Sequence, residues 1–97
     1  MTKAGRQHLD RVARLGCVVC IRLGYGETPC EIHHPRALAG MGQRASHFDA
    51  IGLCPTHHRT GGYGVAIHAG QKEWESRFGT ELELLEYVKQ CLGSTSS

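Results

Sequence analysis

The sequence predicts an α+β domain in which two short strands and a helical segment lie between flanking helices. Three observations predict it. The runs "CEIHH" (30–34) and "DAIGLC" (49–54) are short, carry β-branched residues and are bordered by turn-forming stretches. Helical patterns occupy both ends of the chain. Between them stand two pairs with metal-ligand spacing, "CVVC" (17–20) and Cys54 with His57. A chain of 97 residues buries a modest core and commonly needs a metal or disulfides to hold it.

In chain order, Leu9, Val12 and Leu15 recur between arginines and predict a short amphipathic helix over 5–15. "CVVC" follows, then the turn-rich "IRLGYGETP". "CEIHH" reads as a strand, and Pro35 to Phe48 as a loop with little periodicity. "DAIGLC" is the second strand. Pro55 suits the first turn of a helix that carries His57 and His58 and ends at "GGYG". Trp74 and Phe78 lie four apart on one face of "QKEWESRF", and they read as core rather than as a base-stacking platform. Gly79 stops that helix. Thr80 and Glu83 make a capping box for "ELELLEYVKQCL", with Leu82, Leu85, Val88 and Leu92 as its apolar stripe. The expected organisation is one domain over 1–92, a core over 17–79 and a disordered tail over 93–97.

Net charge is only +2, so charge alone argues weakly for nucleic acid. No apolar run is long enough to span a membrane. The N-terminal residues are charged throughout and lack a signal-peptide core, so the expectation is a cytoplasmic monomer. In a reducing compartment five cysteines read as metal ligands before disulfides. Cys17, Cys20, Cys54 and His57 make a Cys3His set suited to one structural zinc ion. Cys30 is a competitor for the place of His57, and Cys91 reads as a packed thiol. A redox C-x-x-C lacks the expected βαβ context.

Four histidines then remain near the ligand pairs: His33, His34, His58 and His68. On a strand, His33 and His34 point to opposite faces. On a helix, His57 and His58 point about 100° apart and cannot easily serve one ion. Imidazoles around a divalent cation (Mg2+, Mn2+ or Zn2+), with one free histidine beside it, suit phosphodiester hydrolysis. We assign His33 and His58 as ligands and His34 as base. A short return of chain can bring His68 back. Asp49 can orient the base, fix the loop, reach the metal or simply face solvent. His8 and His47 read as surface residues and Glu31 as peripheral. Arg36, Arg44 and Arg59 stand near the site and would bind phosphate rather than read sequence.

"EIHHP", Asp49 and "LCPTHHR" together resemble the HNH endonuclease pattern of the ββα-metal (His-Me finger) fold. That resemblance maps the metal ligand and general base of the first strand onto His33 and His34, the middle Asn-type position onto Asp49, and the helix histidine onto His58. Flanking cysteine pairs commonly hold a structural zinc there; here His57 replaces the usual last cysteine and Asp49 the usual asparagine. The run from Asp49 to Gly79 is similar, more narrowly, to the Ref-like, RecA-dependent nucleases of temperate phages. It implies that His68 joins the active site, that DNA is the substrate and that a RecA-type recombinase filament is a partner. The alternative is a non-catalytic, zinc-stabilised nucleic-acid-binding module, which needs only the Cys3His ligands. A zinc deaminase lacks its H-x-E and P-C-x-x-C elements.

Overall fold

A computed structural model describes residues 2–36 and 47–93. The order of elements is α1 (Lys3–Leu15), α2 (Val18–Arg22), β1 (Glu31–His33), β2 (Ile51–Leu53), α3 (Gln71–Phe78) and α4 (Glu81–Cys91). Short helical turns lie at His47–Asp49, Thr56–Thr60 and Ile67–Ala69. The strands pair antiparallel, with Glu31 opposite Leu53, Ile32 opposite Gly52 and His33 opposite Ile51. This is an α+β arrangement with a two-stranded sheet, as the sequence predicts. No helix among the described residues is long and apolar enough to cross a membrane.

Local chemistry explains the element borders. Thr2 caps α1 by accepting a hydrogen bond from the Gly5 N–H at 3.0 Å. Gly16, at φ +93°, then turns the chain where a Cβ would lie 2.8 Å from the Thr28 carbonyl oxygen. The "CVVC" segment is itself helical, because Cys17 caps α2 through its sulfur. At the other end Thr80 and Glu83 form the reciprocal capping box that the sequence predicts for α4.

The core gathers Val12 of α1, Val18 and Val19 of α2, Ile51 and Leu53 of β2, Trp74 of α3, and Leu84, Leu85 and Val88 of α4. Trp74 is fully buried and stacks edge-on against Phe78. Two expectations are corrected. Leu82 is 48% exposed, and the buried stripe of α4 runs through Glu81, Leu84, Leu85 and Val88. The helix turns its Glu81 side inward because that carboxylate has partners there, which leaves Leu82 facing out. Cys91 is exposed rather than packed: helical spacing puts it on the Leu84–Val88 face, but it is the last residue of α4, about one turn beyond the buried Val88. The Arg11 guanidinium donates to the Leu92 carbonyl, tying α1 to the end of α4.

Candidate functional site

The chain leaves β2 at Leu53 and enters a wide helical turn, Thr56–Thr60. Its closing bond runs from the Gly61 N–H to the Thr56 carbonyl, five residues back, at 3.0 Å. Gly61 is needed for that closure, since a Cβ there would sit 2.5 Å from the Thr56 oxygen. Such i→i+5 turns recur at functional sites. This one sends adjacent histidines to different places.

His57 turns inward. Its Nδ1 lies 3.7 Å from Cys17 Sγ, 3.6 Å from Cys20 Sγ and 3.2 Å from Cys54 Sγ, and Cys20 Sγ lies 3.9 Å from Cys54 Sγ. Sulfurs about 2.3 Å from a tetrahedral zinc would be separated by about 3.8 Å. The donor set therefore fits one tetrahedral ion, and the buried Cys17–Cys20–Cys54–His57 cluster can hold a metal such as zinc. Phe78 packs against the His57 ring and shields it. Burial first, with the neighbouring Cys54 and Cys20 side chains adding to it, pushes the Cys17 thiol up to about 12, so thiolates here call for a cation among them. Burial likewise lowers the His57 pKa and favours the neutral imidazole that ligates metal. Cys30 stands outside the cluster, with its thiol directed at the Val12 and Ala13 carbonyls.

His58 turns the other way. Its Nε2 lies 3.3 Å from His33 Nδ1 and 2.9 Å from His68 Nε2. The three ring nitrogens all lie within 4.8 Å of one another. Imidazoles about 2.1 Å from one ion at right angles would place their nitrogens about 3.0 Å apart. The trio thus has the spacing of ligands on one side of an ion. Each of two members is backed by a carboxylate. His33 Nε2 donates to Glu81 Oε2 at 2.6 Å, and His58 Nδ1 donates to Glu31 Oε1 at 2.8 Å. Both bonds leave the inward nitrogen with its lone pair, the arrangement by which second partners orient metal-binding histidines. Arg59 grips Glu31 through three hydrogen bonds, and this, with His58, holds the Glu31 carboxyl down to about 2.

A family model described as recombination enhancement, RecA-dependent nuclease, matches residues 1–93. The chain belongs to that family. Comparison with curated proteins gives no match. Membership in the RecA-dependent nuclease family makes the chain a nuclease, and hence an enzyme.

Set on this family member, the residues singled out from sequence fall into groups. His33, His58 and His68 come together at one cluster, and Cys17, Cys20, Cys54 and His57 at the other. His34 follows β1 and leaves the trio: its Nε2 is 3.1 Å from His47 Nδ1, with the two rings edge to face. Burial, then His47 and His33, lower the His34 pKa. Asp49 pairs with Lys89 at 3.3 Å. Arg36 reaches His68 Nδ1 with its Nη2 at 3.3 Å, and Arg59 is engaged by Glu31. Arg44 lies outside the described residues. Burial, then His58, His33 and Arg36, lower the His68 pKa.

Three contributors escaped the sequence reading. Glu31 is not peripheral: residues i and i+2 of a strand share a face, so it stands beside His33, and that signal was present. His47 is half-buried against His34 rather than a surface residue, because the turn His47–Asp49 is held under α1. Glu81 is 1% exposed and also accepts the Arg36 N–H at 3.1 Å and a Gln71 Nε2–H at 3.0 Å. In the sequence it looks like an ordinary acidic residue in the first turn of a helix. Glu81→Gln and Glu31→Gln are each expected to weaken Mn2+ binding at the histidine trio by about 10- to 100-fold, while the ion among the cysteines stays bound. Calorimetric Mn2+ titration beside elemental zinc analysis checks both halves.

Proposed function

We propose that this chain is a metal-dependent DNA endonuclease of the HNH (ββα-metal) type, with structural zinc at Cys17, Cys20, Cys54 and His57. The convergence of His33, His58 and His68 from β1, the Thr56–Thr60 turn and the Ile67–Ala69 turn carries this reading. A divalent ion held by them (Mg2+, Mn2+ or Zn2+) supplies Lewis-acid stabilisation of the charge that builds on the phosphate and the leaving 3′ oxygen. Glu81 and Glu31 keep His33 and His58 in the tautomers that ligation needs. His34 is the general base: donating its Nε2–H to His47 Nδ1 leaves the Nδ1 lone pair to take a proton from the attacking water. Asp49 is the last residue of the His47–Asp49 turn and steadies it through Lys89. Arg36, Arg44 and Arg59 bind backbone phosphates, which makes affinity salt-sensitive. The family description supports a RecA-type filament as partner.

A non-catalytic zinc module accounts for the cysteine cluster but gives no role to three converging histidines, two of them held by carboxylates. Plasmid nicking with a panel of divalent ions, with and without a RecA filament on matching DNA, separates the two readings. Cleavage that depends on both the ion and the filament is expected. DNA binding without cleavage under every combination would leave the binding-module reading in its place.

A further inference from the structure

The histidine trio has one member that is set the wrong way. His58 Nδ1 must donate to the Glu31 carboxylate, so the neutral His58 ring accepts at Nε2. The 2.9 Å contact from His68 Nε2 must then be a donation from His68. His68 consequently accepts at Nδ1, and there it meets Arg36 Nη2 at 3.3 Å, a group that can only donate. The hydrogen bonds run in one direction, Arg36 to His68 to His58 to Glu31. Carboxylates behind His33 and His58 present lone pairs to the centre of the trio. The guanidinium behind His68 presents a proton there instead.

From this chain we infer that Arg36 and a divalent ion compete for His68, and that ion binding releases Arg36 to contact substrate phosphate. Ligation through His68 Nε2 requires that nitrogen's lone pair. The proton leaves Nε2 for solvent and another arrives at Nδ1, with no net change; His68 is exposed, so water can carry the exchange. Nδ1–H and the Arg36 donor then face each other, and the guanidinium must leave. Its backbone stays fixed, because the Arg36 N–H is held by Glu81 Oε2, the same oxygen that holds His33. The freed side chain therefore swings about a point anchored to the ligand framework. A phosphate gains its arginine only after the ion is in place, which disfavours unproductive DNA binding by the ion-free protein.

This inference rests on the proposed ion site at the trio. Its test reads ion affinity and tautomer rather than cleavage. In the full chain carrying zinc at the cysteines, Arg36→Met is expected to tighten Mn2+ binding at the trio by about 3- to 10-fold, the worth of one competing hydrogen bond. Nitrogen-15 NMR of His68, with a further equivalent of Zn2+ as diamagnetic probe, should show the Nε2–H form converting to Nδ1–H in the unsubstituted chain. In a His34→Ala background, used to preserve the DNA, Mn2+ should raise oligonucleotide affinity, and Arg36→Met should remove most of that gain. Unchanged or weaker Mn2+ affinity in Arg36→Met, or a His68 already in the Nδ1–H form before ion is added, overturns the inference and leaves the endonuclease reading standing. Failure of the unsubstituted chain to bind any ion beyond that at the cysteines overturns both.

Discussion

Cys20→Ser is expected to release the structural ion and abolish the cooperative melting transition. Cys20 is buried in α2 and faces Cys54 and His57, so its sulfur joins an element that precedes the sheet to the segment that leaves it. The cluster also belongs to the hydrophobic core, sharing it with Val18, Val19, Leu53 and Trp74. Serine offers a hydroxyl that ligates zinc poorly and leaves a polar group in that core. Structural zinc in small domains contributes about 10–16 kcal/mol of apparent binding free energy. Whole domains are stable by only about 5–15 kcal/mol, so loss of the ion exceeds the margin. Elemental zinc analysis and circular-dichroism melts check the result, and a zinc-free variant that keeps a cooperative melt would contradict it. His57→Ala should fail in the same way. His58→Ala should keep both fold and zinc, because His58 faces the other cluster.

His34→Ala is expected to lower nicking by about two to four orders of magnitude, the usual worth of a general base. Ion content at both clusters and the melting temperature should change little. The reason is placement: His34 follows directly on β1, yet its ring meets His47 and not the trio. His33→Ala should behave differently, because its Nδ1 faces the trio and its Nε2 holds the buried Glu81. That variant should lose Mn2+ binding along with cleavage, and it also removes one partner of the buried Glu81 carboxylate, which keeps the Arg36 N–H and Gln71. Single-turnover cleavage measured beside calorimetric Mn2+ titration separates the two variants. Near-normal cleavage by His34→Ala would place the base elsewhere.

The sequence by itself determined the elements whose causes are local. The amphipathic spacing of Leu9, Val12 and Leu15 announces α1, and Thr80 with Glu83 announces the start of α4. "CEIHH" and "DAIGLC" hold the two strands, and the two-residue spacing within each ligand pair brings Cys17 with Cys20, and Cys54 with His57, within reach of one centre. The adjacency of His57 and His58 was also legible, since neighbours on any helical turn diverge and must serve different sites. Tertiary structure decided whatever depends on partners far along the chain. Nothing near Glu81 in the sequence distinguishes it from a helix-capping acid; only the packing of α4 against the sheet places it 2.6 Å from His33, 48 residues away. The same inward turn of Glu81 put Leu84 in the core and Leu82 in solvent. The side-chain partner of His34 was decided in the same manner, by the return of the chain through His47–Asp49 beneath α1. The direction of the bonds at His68 was decided by Arg36, which only the folded chain brings to that ring. Spacing along a chain encodes which atoms can reach one centre. Which lone pair each atom presents there depends on the group behind it, and folding alone supplies that group.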